Sequence, residues 1–150
     1  MTTPPFPAPT TAELAVVSAQ LDRTARGVVG IAARCVCGNP TVVATTPRLP
    51  DGTPFPTFYY LTHPAATSAM STLEATQVMP ELTALLEDDE IAAAYRSAHE
   101  AYLADRAQFG DVTEIHGISA GGTPTRAECL HAPAGHALAL ADLFDFSIYV

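Results

Sequence analysis

No lysine occurs anywhere in the 150 residues, and all seven basic side chains are arginine. That absence excludes a G-K-[ST] phosphate loop, whose ammonium reaches the terminal phosphates of a nucleotide. With 16 acidic residues the formal net charge is −9. Nucleic-acid binding draws most of its affinity from cations laid against phosphates, so this balance argues against DNA or RNA as a partner. The cations that are present are planar, five-donor guanidinium groups suited to carboxylate or phosphate. No apolar run reaches the roughly 18 residues of a membrane-spanning helix, so no membrane insertion is expected. The opening MTTPPFPAPTTAEL lacks the basic-then-apolar order of a secretion signal. Cysteine is scarce, at three residues. In the cytoplasmic setting these features imply, thiols stay reduced and are more useful as ligands than as bridges.

What is present suffices for a core. Hydrophobic residues make up 48% of the chain, and a chain this long fits one domain. Residues 1–10 are Pro-rich and read as a disordered tail, leaving a single α+β domain over 11–150. Thr10 and Glu13 have capping-box spacing, and Leu14, Val17 and Leu21 recur at helical intervals, predicting a helix over 11–26 that Gly27 stops. VVGIAAR (28–34) and TVVAT (41–45) read as a hairpin around Cys35–Pro40. The Pro-rich loop 47–56, with its Asp-Gly turn, reads as rigid. TFYYLT (57–62) reads as a third strand. Pro64 suits a helix entry, with Ala66, Met70 and Leu73 on one face of a helix over 64–77. A short helix runs from Pro80 to Leu86. A longer one, over 89–109, has Ile91, Tyr95, Ala98, Tyr102 and Phe109 in period. A last helix starts near Thr125, with a kink or break predicted at Pro133 and Gly135. The fold class is thus α+β, a small three-stranded sheet packed with four to five helices and a helical C-terminal half.

The sulfur and imidazole inventory carries the first candidate chemistry. Cys35 and Cys37 sit in a turn, His63 opens a helix, and Cys129, His131 and His136 belong to the last helix. Zinc is held by four such ligands; an iron–sulfur cluster is the softer alternative, although three cysteines fall short of four. On a regular helix Cys129 and His131 point nearly oppositely. Cys129 and His136 share a face but stand about 10 Å apart along the axis. Cys129 and His131 converge only if the helix starts late or Pro133 distorts it. Against the ligand reading stands the tendency of free cysteine to act as a small buried hydrophobe.

A second constellation concerns anions. Gly121 and Gly122 precede an expected helix N-terminus with Arg126 in its first turn, and backbone N–H groups there favour an anion. Arg34 and Arg48 flank the other turns. A loop that needs glycine for its conformation is the competing reading. His99-Glu100 resembles part of a zinc-protease helix, but Leu103 replaces the second histidine. His99 is expected on the helix surface, and His116 in a loop without an evident partner. Ser119-Ala120-Gly121 does not complete a nucleophile elbow.

Taken together, RCVCGNPTVVATTPRLPDGTPFPTFYYLTHP, the AHEAYLADR helix, and SAGG followed by RAECLHAPAGHALA resemble the DUF501 family of uncharacterised bacterial proteins, common in actinobacteria. The likeness runs from about residue 14 to about residue 140. It implies an intracellular protein, often encoded near septum-initiation and exopolyphosphatase-like genes. Position by position, the family pattern covers Cys35, Thr62-His63-Pro64 with His or Cys at its centre, Cys129-Leu130-His131, and His136. Glu128 stands where the family usually has lysine, and Pro133 where it has a helix former. FDFSIYV replaces a close rich in Gly and Asn-Pro.

The resemblance suggests a site in which His63 joins Cys35, Cys129 and one of His131 and His136, with Cys37 optional. The expected protein binds a metal, zinc first and iron or an iron–sulfur cluster second, at a site linking the first hairpin, the His63 helix start and the last helix. Four protein ligands would make the metal structural; an open position would suit hydrolysis by metal-bound water. The main alternative is a metal-free interaction or regulatory module, in which Arg34, Arg48, Gly121, Gly122 and Arg126 hold an anionic, phosphate-type small molecule or serve a protein partner. A further alternative is an enzyme using His99 or His63 as base. Neither substrate nor oligomeric state is set by the residues.

Overall fold

Unbroken runs of β-branched and small apolar residues make strands that can be covered on both faces. In the computed structural model, which describes residues 6–120 and 123–143, VVGIAAR forms β1 (Val28–Arg34) and PTVVAT forms β2 (Pro40–Thr45). A short β3 (Tyr59–Leu61) pairs with β2, giving an antiparallel sheet in the order β1-β2-β3. Ile31 stands opposite Val43, and Val42 opposite Leu61. The alternation of strands divides these residues between two layers. Ile31 and Val43 pack with Val17 of helix α1 (Thr11–Leu21). Ala32, Val42, Ala44, Phe58, Tyr59 and Leu61 pack on the other face with Tyr102 and Ala139.

The capping box forms as expected: Glu13 N–H donates to Thr10 Oγ1 (3.2 Å) and Thr10 N–H to Glu13 Oε2 (2.8 Å). Helix α1 ends five residues earlier than the glycine stop suggests. Asp22 takes the left-handed conformation (φ 52°), which aspartate tolerates, and its N–H returns to the carbonyls of Ala19 and Ser18. The Pro-rich N-terminal stretch is not a free tail throughout. Phe6 packs edge-on to Tyr59 (5.9 Å), and Pro7 C=O accepts from Ile31 N–H (3.1 Å). The loop after β2 is tight, with Leu49 N–H bonded to Thr53 C=O and Phe55 N–H to Pro47 C=O.

The C-terminal half is helical, through α2 (Pro64–Ala75), α3 (Val78–Leu85), α4 (Asp89–Ala107) and α5 (His131–Leu143). Two expectations need correction. The inward stripe of α4 is Tyr95, His99, Tyr102 and Arg106, while Ile91 and Ala98 face outward. The last helix begins at His131, not near Thr125, and runs without a break. Pro133 is its third residue, in the first turn, where no intrahelical N–H bond is lost. Gly135 brings α5 close against the sheet: a Cβ there would lie 2.9 Å from the carbonyl oxygen of Tyr59.

Tyr102 and Arg106 fasten α4 to the sheet and loops. The backbone N–H groups of Phe58 and Tyr59 both donate to the Tyr102 hydroxyl (2.5 and 3.2 Å). The Arg106 guanidinium donates to the carbonyls of Pro56, Ile118 and Ile115 at 2.5–2.9 Å. No described helix is long and apolar enough to cross a membrane.

Candidate metal centre

The late start of α5 decides the geometry of its first residues. Cys129 precedes the helix and is not bound to its 100° step, so Cys129 and His131 meet on one side. The backbone donors before the helix are taken by side chains from elsewhere. Thr83 Oγ1 accepts from Ala127 N–H (3.1 Å), and Glu74 Oε1, near the end of α2, accepts from Leu130 N–H (2.7 Å). The same Glu74 oxygen lies 3.1 Å from His131 Nδ1, and the Cys129 thiol also bonds to this carboxylate. The Leu130 amide first, then His131 and Cys129, hold the Glu74 carboxyl below the usual carboxylate range. Nε2 of His131 meets Ser71 Oγ (3.3 Å).

Glu74, Cys129 and His131 each offer one ligand atom, and all three atoms lie within 4.8 Å of one another. Among the described residues this is the one such group of three or more. All three side chains are half-buried. Cys129 and His131 also line a cavity of about 370 Å³, whose other walls include Tyr59, Tyr60 and Gln20. Gln20 Nε2 donates to Pro40 C=O (2.8 Å), while its Oε1 is buried without a partner among the described residues.

The remaining candidate ligands lie elsewhere. Cys35 and Cys37 are joined by a disulfide at the hairpin tip, not kept as two thiols. The turn, closed by Cys35 N–H to Asn39 C=O (2.9 Å), sets their Cα atoms 5.2 Å apart, within bridging range. His63 caps α2, its Nδ1 accepting from Ala65 N–H (3.3 Å). His136 is buried on the inner side of α5, stacked on Tyr59 (5.0 Å). The structure thus brings Cys129 together with His131, and leaves Cys35, Cys37, His63 and His136 out of the group. Glu74 is the member that sequence reasoning missed.

The anion candidates are not gathered in one place. Arg34 pairs with Glu13 (2.6 Å), Arg48 with Glu114 (2.9 Å) and Arg126 with Glu128 (2.8 Å). Arg126 lies in the loop before α5, not in a helical first turn. Gly121 and Gly122 lie outside the described residues, as do residues 1–5 of the tail and the closing FDFSIYV. His99, expected on the surface, is buried with its Nδ1 2.6 Å from Ser119 Oγ. His116 does have a partner, Asp111.

A three-stranded antiparallel sheet with α1 on one face and a helical C-terminal half on the other, carrying a Cys/His/Glu group where α2 meets α5, defines a small α+β protein with a candidate metal centre. The model of one family matches residues 31–143. The chain belongs to that family, DUF501, described as a protein of unknown function. No curated protein and no solved structure matches it.

Proposed function

We propose that this protein binds a zinc ion through Glu74, Cys129 and His131. The observation that carries the reading is the convergence of a thiol, an imidazole and a carboxylate within 4.8 Å, a donor set suited to zinc. Two of the three side chains are held by neighbours outside the group: Glu74 by the Leu130 amide and His131 by Ser71. Such outer contacts orient ligands. Iron is the second metal for the same donors.

Three protein ligands leave a tetrahedral ion one position short, the arrangement of hydrolytic rather than structural zinc. The 370 Å³ cavity beside Cys129 and His131 supports a metal-dependent hydrolase as the second reading. Gln20 Oε1, an unpaired acceptor on the cavity wall, suits a donor group of a substrate. Both readings need Cys129 as a free thiol, which it is, unlike the bridged Cys35 and Cys37.

The test is elemental analysis of untagged protein purified without chelator. We expect about one zinc per chain, because binding energy of this kind is also folding energy. Cys129→Ser and Glu74→Gln should each weaken zinc binding by more than about 100-fold, beyond the effect of losing an outer-shell contact. Wild-type protein with less than about half an equivalent of any transition metal overturns the reading. Unchanged zinc affinity in Glu74→Gln removes Glu74 from the site.

A further inference from the structure

We propose that a pocket on the α1 side of the sheet binds a small aromatic monocarboxylate, its carboxylate on Arg23 and its ring against Leu49, Phe55 and Tyr60. The site shares no residue with the metal group and goes beyond that reading. Helix α1 ends at Leu21, where Asp22 turns the chain, so the helix leaves this end of the sheet uncovered. The residues after that turn and the loop over 47–56 close around it instead, with Val43 as floor and Leu49 and Phe55 in the walls. The cavity measures about 40 Å³ and is partly open to solvent. At the 10–15 Å³ each water needs, that is room for about three waters, which sets the body of a ligand at about one ring.

The charged groups of the lining are donors within reach of solvent, since Arg23 and Arg26 are both exposed. Arg23 Nη2 donates to the Tyr60 hydroxyl (2.9 Å), which sets the guanidinium beside that ring. A guanidinium carries five N–H donors, so most of those on Arg23 remain; the phenol, having accepted there, keeps its own O–H to give. The Thr45 hydroxyl, also in the lining, donates to Thr57 C=O (2.5 Å). No carboxylate stands in the wall among the described residues. Arg26, Arg34, Arg48 and Arg126 each hold a carboxylate. Arg23 has the neutral phenol in its place.

Donors of this kind suit an anion, and the flat fork of a guanidinium matches both oxygens of a carboxylate. The charge of the anion follows from the pairing. Asp51 lies on Arg26 (2.9 Å), and hydrogen bonds from Thr53 hold its carboxyl below the usual range, so Arg26 is already neutralised. Arg23 is the cation left in the wall. One cation suits a carboxylate of single charge better than a phosphate monoester of about two. The apolar wall selects the body. Phe55 and Tyr60 already form a tilted ring pair (5.8 Å, 48°). A third ring extends that packing with edge and face contacts that an alkyl chain lacks.

The test titrates benzoate into the full chain while NMR follows the Arg23 guanidinium and the Tyr60 ring, with acetate, benzyl alcohol and phenyl phosphate as comparisons. We expect benzoate to saturate below about 5 mM, with acetate and benzyl alcohol at least about tenfold weaker and phenyl phosphate no tighter. Arg23→Gln, at an exposed position, should lower benzoate affinity at least about tenfold with the fold unchanged, read at Tyr60. Arg96→Gln, on the exposed side of α4 and outside the lining, should leave it as it is. Acetate equal to benzoate, or an equal loss in Arg96→Gln, means a general charge effect and overturns the proposal. So does a benzoate response that never saturates, benzyl alcohol as tight as benzoate, or phenyl phosphate tighter than it. Full benzoate affinity in Arg23→Gln overturns it too, and places the anion elsewhere, such as on a metal at the Glu74 group.

Discussion

His131 and His136 lie five residues apart on one helix and meet opposite surroundings. His131 stands at the first turn, half-buried, with Glu74 on one nitrogen and Ser71 on the other. His136 lies about one and a half turns further on, sealed between Tyr59 and Tyr102, with one nitrogen unpaired among the described residues. Residue type says little about the role of either. The contrast comes from where the helix starts and how closely it presses on the sheet: the first frees Cys129 to join His131, and the second buries His136.

The strongest way to break the contrast is to lift α5 from β3. Gly135→Val places side-chain atoms against the Tyr59 carbonyl, where even a Cβ would come within 2.9 Å. We expect about 3 kcal/mol of destabilisation, at the upper end for overpacking, measured by denaturant unfolding. The His136 ring should lose its stacking at the same time, seen in its NMR shifts. A wild-type midpoint with the stacking intact would show that the close approach is not what buries His136.

A smaller effect sharpens the difference by pH. Burial holds His99 and His136 below the ordinary value of 6.5; the nearby Asp105 charge pulls His136 the other way but does not prevail. Between the folded and unfolded values the unfolded chain binds more protons, so stability is full above about pH 6.5 and falls as the pH drops below it. Thermal melts should therefore weaken from pH 7 to pH 5, and His136→Phe should reduce that loss by removing one of the two groups. An unchanged slope in the variant would mean that burial does not lower the His136 value in the folded chain.

The smallest expected effect concerns the hairpin tip. Replacing both Cys35 and Cys37 by serine should cost less than about 2 kcal/mol, because the loop they close is very short. Zinc content should not change, since neither sulfur belongs to the Glu74–Cys129–His131 group. Loss of zinc in this double variant would return the hairpin to the site.

The strands were legible because their information is local. Val28–Arg34 is bounded by Gly27 on one side and the Cys35–Pro40 turn on the other, and the structure keeps those bounds. Pro64 likewise starts its helix where the sequence indicates. The start of α5 was not legible, because the backbone donors of Ala127 and Leu130 go to Thr83 and Glu74, 44 and 56 residues away. Glu74 carries no local signal either; it becomes a candidate ligand only when α2 ends beside Cys129. On α4 the periodic reading followed Ile91 and Ala98, whereas the buried stripe contains His99 and Arg106, residue types that a hydrophobic period passes over. Arg106 is buried because three loop carbonyls need its donors.

Among the described residues, strand β1 sits at the rim of its sheet, with β2 on one side only. Such a rim presents unpaired backbone groups that can recruit a strand from another molecule. In this protein Pro7 supplies a carbonyl to Ile31, and Phe6 lies over Gly30, where a larger residue would collide with it. Proline can accept at that rim but offers no N–H to extend the ladder. Phe6 and Pro7, read from composition as slack chain, thus cover part of this rim, and the glycine in β1 is the seat that lets them close on it.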